Sequence, residues 1–111
     1  MNDFLHINSE LKENDIIVKN IVLPSSKYAF YKIKSFTRSG APRVVLLRCN
    51  VKKVTWSTPS SHKEIIEPDE EDELDDKPQC LTKREGKYWT LKGKYFSKYD
   101  PNQEYLSESY W

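Results

Sequence analysis

The stretch "YAFYKIKSFTRSGAPRVVLLRCNVKKVTW", residues 28–56, decides the fold. Two runs rich in β-branched and aromatic residues flank a break carrying Ser39, Gly40 and Pro42. That is the composition of two strands joined by a hairpin loop. Side chains alternate across a strand, so the first run sets Ala29, Tyr31 and Ile33 on one face. Phe30, Lys32 and Lys34 take the other. In the second run Val45, Leu47, Cys49 and Val51 share a face, with Arg48, Asn50 and Lys52 opposite. An antiparallel sheet is the architecture such a hairpin seeds.

Working outward, "DIIVKNIVL" (15–23) reads as an earlier strand stopped by Pro24. "QCLTKREGKYWTLKGKYF" (79–96) restarts the sheet, with Arg84-Glu85-Gly86 as a turn between short strands. Asp100-Pro101-Asn102 makes another turn before an aromatic C-terminal stretch. At the other end, Asn8-Ser9 is placed to cap one helical turn over "ELKEN". Ser57 to Lys77 carries "STPSSHK" and then a dense acid run, and like charges so close repel. The sequence therefore predicts a mainly β chain, a single domain over 1–111 with 57–77 a polar acidic loop. The expected form is a small antiparallel SH3-like or OB-like barrel of five to six strands with that long acidic loop. An open α+β sheet with a terminal helix is the alternative.

The charge pattern is sharply divided. Nine of the 17 acids lie between Glu64 and Asp76, although the net charge is only +1. Without them the chain would carry 18 bases against eight acids. Lys27 to Lys53 holds eight bases and no acid, and Lys77 to Lys98 holds seven bases and one acid, Glu85. A basic body thus carries an acidic segment, which acts as an electrostatic arm for its own body or for a partner.

Catalytic chemistry finds little support. His6 and His62 are the two histidines, and neither accompanies a nucleophile turn of the G-x-S-x-G kind. The acid run lacks the spacing of an EF-hand. Cys49 and Cys80 stand 31 residues apart without zinc-site spacing. Gly40, Gly86 and Gly93 are too scattered for a phosphate loop. The expectation is a non-enzyme with no cofactor, no metal and no small-molecule substrate. Cys49, inside an apolar run, is expected to be a buried reduced thiol. No apolar run approaches the ~18 residues of a membrane span, and the N-terminus lacks a signal peptide's pattern. A reducing intracellular setting, neither secreted nor membrane-spanning, is the expectation from these features.

Two kinds of binding surface emerge. Lys32, Lys34, Arg48, Lys52, Lys92 and Lys94, interleaved with Tyr28, Phe30 and Trp89, have the makeup of a site for single-stranded DNA or RNA, where phosphates meet bases and aromatics stack. Solvated lysines on a half-buried strand look the same. A protein partner or homo-oligomer contact is expected through Tyr105, Tyr110 and Trp111 and the acids Asp69, Glu70, Glu71 and Asp72.

Phe30, Tyr31, Ile33, Thr37, Val45, Leu47 and Arg48 form an F-Y-x-[VI] strand, a Thr turn and a [VI]-x-L-R strand. Lys77-Pro78, "KYWTLKGKY" and "YDPNQEYLSESYW" follow in order. The whole resembles a group of short β-rich proteins of tailed phages and large DNA viruses. "ENDIIV" fits that group's G-D-[IV]-[VL] strand with Asn14 in place of Gly. Its W-G-Y-D segment is absent, and "PSSKY" stands there instead. The resemblance implies a compact β-fold and a viral origin, and it carries no catalytic residue across. The combined expectation is a small viral binding protein, a structural or accessory component of an assembly such as the virion. The alternative is a nucleic-acid-binding module whose basic face the acidic loop masks.

Overall fold

The computed structural model describes residues 4–22, 26–59 and 61–110. They form β1 (Ile16–Val22), β2 (Ser26–Phe36), β3 (Pro42–Thr58), β4 (Ser61–Glu73), β5 (Gln79–Cys80), β6 (Thr82–Arg84), β7 (Tyr88–Leu91), β8 (Lys94–Lys98) and β9 (Tyr105–Tyr110). Neighbours run β6-β7-β8-β1-β2-β3-β4-β9, with β5 also on β3, and every pairing is antiparallel. The protein is mainly β. Among the described residues the path has two ends, so the sheet does not close into a barrel, and its nine strands exceed the five or six expected.

The alternation read in β2 holds. Ile17 lies opposite Tyr31, and both enter one core with Ile33, Val44, Leu81, Trp89, Leu91 and Phe96. Val18 lies opposite Phe30, and both enter a second core with Leu47, Ile66 and Tyr105. The central strands are thus covered on both faces. This explains the unbroken "VVLL" of 44–47, since a strand buried on both sides has no polar face to alternate. A register shift between Ile33 and Ser35 turns Phe36 from the side of Phe30 to the first core.

Turn chemistry fixes the hairpins. Gly40 has φ +89, and Thr37 closes the β2–β3 loop by donating its N–H to the Ala41 carbonyl at 2.9 Å. Lys92 (φ 53) and Gly93 (φ 79) both take left-handed backbone, as a two-residue hairpin turn requires. Asn14 has φ 74 and donates its N–H to the Ile33 carbonyl at 2.7 Å. Asn tolerates that conformation best after Gly, which accounts for its place ahead of β1.

Two local expectations are corrected. Asn8-Ser9 caps no helix. Instead Leu5 donates its N–H to Phe96 O at 2.7 Å and accepts from Trp89 N at 3.0 Å. The N-terminal segment fills the gap where β7 and β8 part, and Leu5 is buried in the first core. Residues 57–77 are likewise no loop, because β4 occupies 61–73. It is anchored by Ile65 and Ile66, both buried, and its acids lie beside the basic strand β3. The repulsive run is held as a strand by these apolar anchors and by bases of β2 and β3 that engage Glu73 and Asp72.

Candidate interaction surface

β3 changes partner along its length. Pro42 to Leu46 pairs with β2, whereas Leu47 to Thr58 pairs with β4. At the junction Leu47 faces Glu73 while its neighbour Arg48 faces Asp69, so Glu70, Glu71 and Asp72 bulge out of the ladder. Asp69 shapes the bulge by accepting the Glu71 N–H at 3.1 Å. The ladder resumes where Leu74 donates its N–H to Leu46 O at 2.7 Å. Asp75 then accepts from Leu46 N at 2.9 Å and Gln79 Nε2 at 3.0 Å.

The bulge lies on the basic face of β2 and β3. Glu73 Oε2 stands 3.1 Å from Lys32 Nζ and 2.8 Å from Lys34 Nζ. Lys32 also donates to the Glu70 carbonyl at 2.7 Å, and Arg48 Nε to Asp72 Oδ2 at 2.6 Å. Asn50 Nδ2 reaches Asp69 Oδ2 at 3.4 Å. Hydrogen bonds from Lys34 and then Lys32 hold the Glu73 carboxyl below its usual range. Of the bases that the sequence pattern grouped, Lys32, Lys34 and Arg48 meet at this bulge, and acids of the same chain already engage all three.

The other proposed contacts scatter. Phe30 and Trp89 are core residues, so neither offers a ring to a base in this fold. Tyr28 is half-buried, edge-on to Tyr105 at 5.1 Å. Lys92 sits on the β7–β8 turn and Lys94 opens β8, strands that flank the first core, whereas Lys32 and Lys34 lie on β2. Tyr105 is 4% exposed and belongs to the second core. Burial pushes its phenol up, against a hydrogen bond from the Asp100 N–H at 3.0 Å. Tyr110 ends β9 opposite Ser61, its side chain outside the described set, and Trp111 lies outside the described residues. Glu71 is exposed, as is Glu70 apart from its bonded carbonyl.

Beyond the junction, β3, β4 and β9 make a three-stranded arm. Cys49 through Trp56 are all exposed, because β3 has left β2. Cys49 is therefore not the buried residue expected, although its thiol turns back toward β2. Burial raises that thiol above its ordinary range, and a hydrogen bond with the Phe30 backbone partly offsets this. Val51 pairs with Ile66, Val54 with Glu64 and Trp56 with His62. Cross-strand partners share a face, so Val51, Val54 and Trp56 line one side of the arm, shifted by the register break at Lys52. They are 51%, 42% and 57% exposed. Trp56 lies 4.6 Å from His62, which is buried with its Nε2 3.7 Å from Glu64. Sequence reasoning set Val51 on one face with Val45 and Leu47 and assigned no role to Val54 and Trp56. The signal was the Lys52-Lys53 doublet, which breaks alternation and marks the strand's departure from the body.

A cleft of about 310 Å³ lies beside the arm, lined by Lys52, Lys53, Ile65, Ile66, Tyr99 and Gln103 among others. Burial, and then the neighbouring Glu67, raise the Tyr99 phenol above its ordinary range. Among the described residues no cluster of His, Cys, Asp and Glu is arranged to hold a metal. No described helix is long and apolar enough to cross a membrane. No family model, no curated protein and no solved structure matches the chain.

Proposed function

We propose that this is a non-enzymatic binding protein, an accessory component of a viral assembly such as the virion, which engages a protein partner through its arm. The observation that carries the reading is the row Val51, Val54 and Trp56, left exposed by a chain that buries Ile17, Phe30, Ile33 and Leu47 completely or nearly so. Contiguous apolar surface of this kind marks interaction sites, and Trp is enriched among interface anchors. The resemblance to phage and viral β-rich proteins supports the assembly setting.

The nucleic-acid alternative is weaker. Lys32, Lys34 and Arg48 are engaged by Glu73 and Asp72. β4 is held between the β3 and β9 ladders and does not swing aside without breaking one of them.

The test is affinity capture with the full chain as bait from infected cells, with and without nuclease. The proposal expects partners that survive nuclease and are lost with a folded Val54→Ser/Trp56→Ser variant. Partners that vanish with nuclease, or that the variant retains in full, would overturn it.

A further inference from the structure

We infer that the outer edge of β3, from Asn50 to Trp56, is a docking edge for an acidic extended segment of a partner protein, which joins the sheet as an added strand. The inference rests on the protein-binding reading above and names the chemistry of the partner.

The edge is open. Pairing with β2 ends at Leu46, and Cys49 is the last β3 residue whose side chain reaches back to Phe30. From Asn50 to Trp56 the inner edge of β3 is laddered to β4, and among the described residues no strand lies along the outer one. An unpaired strand edge is a template for another chain, and proteins guard it with lysines and bulges. Lys52 and Lys53 stand here, at a register break.

The charge on that edge selects its occupant. Lys52 and Lys53 stand on this edge, in a stretch with no acid between Lys27 and Lys53. A second copy of β3 laid antiparallel would bring base against base, which repels. An acidic strand meets complementary charge instead. The molecule contains its own precedent, for along this stretch the inner edge carries Glu67, Ile66, Ile65 and Glu64 of β4 opposite Asn50, Val51, Lys53 and Val54. Val51, Val54 and Trp56 supply apolar contacts along one face, with Lys53 and Thr55 on the other. The fitting segment therefore alternates apolar and acidic residues. Strand addition of this kind takes affinity from backbone hydrogen bonds and specificity from alternate side chains.

The test uses the full chain and a labelled peptide of about nine alternating valines and glutamates, long enough for one strand. Two companions control it: lysine replacing glutamate, and N-methylation of every second residue to erase one edge's donors. Fluorescence anisotropy reads affinity, and amide hydrogen exchange reads Asn50 to Trp56. The glutamate peptide should bind, weaken with salt and protect amides of β3. N-methylation should weaken it by about tenfold or more, since several hydrogen bonds are lost together. Absence of binding, equal binding of the lysine peptide, or binding that leaves β3 exchange unchanged would each overturn the inference. Nuclease-resistant partners that the glutamate peptide fails to displace would overturn this docking mode and leave protein binding standing. Loss of every partner to nuclease would remove the reading beneath it.

Discussion

Replacing Glu73 with glutamine keeps the shape of the acidic bulge but removes the charge that Lys32 and Lys34 share. Lys32 has a side chain 13% exposed, against 36% for Lys34 and 29% for Glu73. A fully solvated pair would contribute about 0.2–1 kcal/mol, whereas stripping the partner from a buried charge costs about 3–5 kcal/mol. The Glu73 site lies nearer the solvated limit, with Lys32 drawing it inward. Glu73→Gln should therefore cost about 1–2 kcal/mol. Each kcal/mol should lower Tm by about 4–8 °C in a domain of this size. A double-mutant cycle with Lys32→Met isolates the pair. Urea unfolding followed by tryptophan fluorescence should give a coupling of about 1 kcal/mol between the two sites. A coupling below about 0.3 kcal/mol, within ordinary additivity error, would refute the view that the bulge is pinned electrostatically.

Three further outcomes follow from the same geometry. Since the Glu73 carboxyl is lowered by Lys34 and Lys32, its contribution is present above the ordinary carboxylate range and is lost as pH falls through the depressed folded value; urea midpoints against pH should show part of the acid loss missing in Glu73→Gln. Phe30→Ala, at a fully buried site of the second core, should cost about 3–5 kcal/mol, while Val54→Ser on the arm should stay within about 0.5 kcal/mol, both read by thermal unfolding. Asn14→Gly should leave stability unchanged or raise it, and Asn14→Val should lower it by about 1–2 kcal/mol, because left-handed backbone at φ 74 penalises a branched side chain; equal melting temperatures for the two would count against the turn geometry.

How much of this was legible beforehand varies by element. β1, β2 and the body of β3 were readable because alternation and punctuation by Gly40 and Pro42 are local signals. The Arg84-Glu85-Gly86 turn was readable for the same reason, and Glu85 and Gly86 both take positive φ. β4 was not, because a window along residues 64–76 sees only mutual repulsion. The stabilising charge sits on Lys32, Lys34 and Arg48, some 24 to 39 positions away in sequence. Lys32, Lys34 and Arg48 of the expected basic group meet one acidic bulge, but their neutralisation by Glu73 and Asp72 enters the sequence reading only as one option for a mobile loop. Trp89 and Phe30 look like stacking residues in composition, and only the second layer on each face reveals them as core. The exposed arm was hidden by the length of β3, whose first half obeys the packing rule that its second half abandons.

The β1–β8 ladder joins Ile17 to Lys98 and Lys19 to Phe96, pairs far apart in the sequence. On a ribosome the early hairpin of β1 and β2 emerges long before β8, so one flank of β1 stays bare throughout most of synthesis. Closure of the sheet therefore waits for β8 and is governed by slow long-range pairing. A chain stalled before Lys94 would expose sticky, half-zipped strands to chaperones or aggregation.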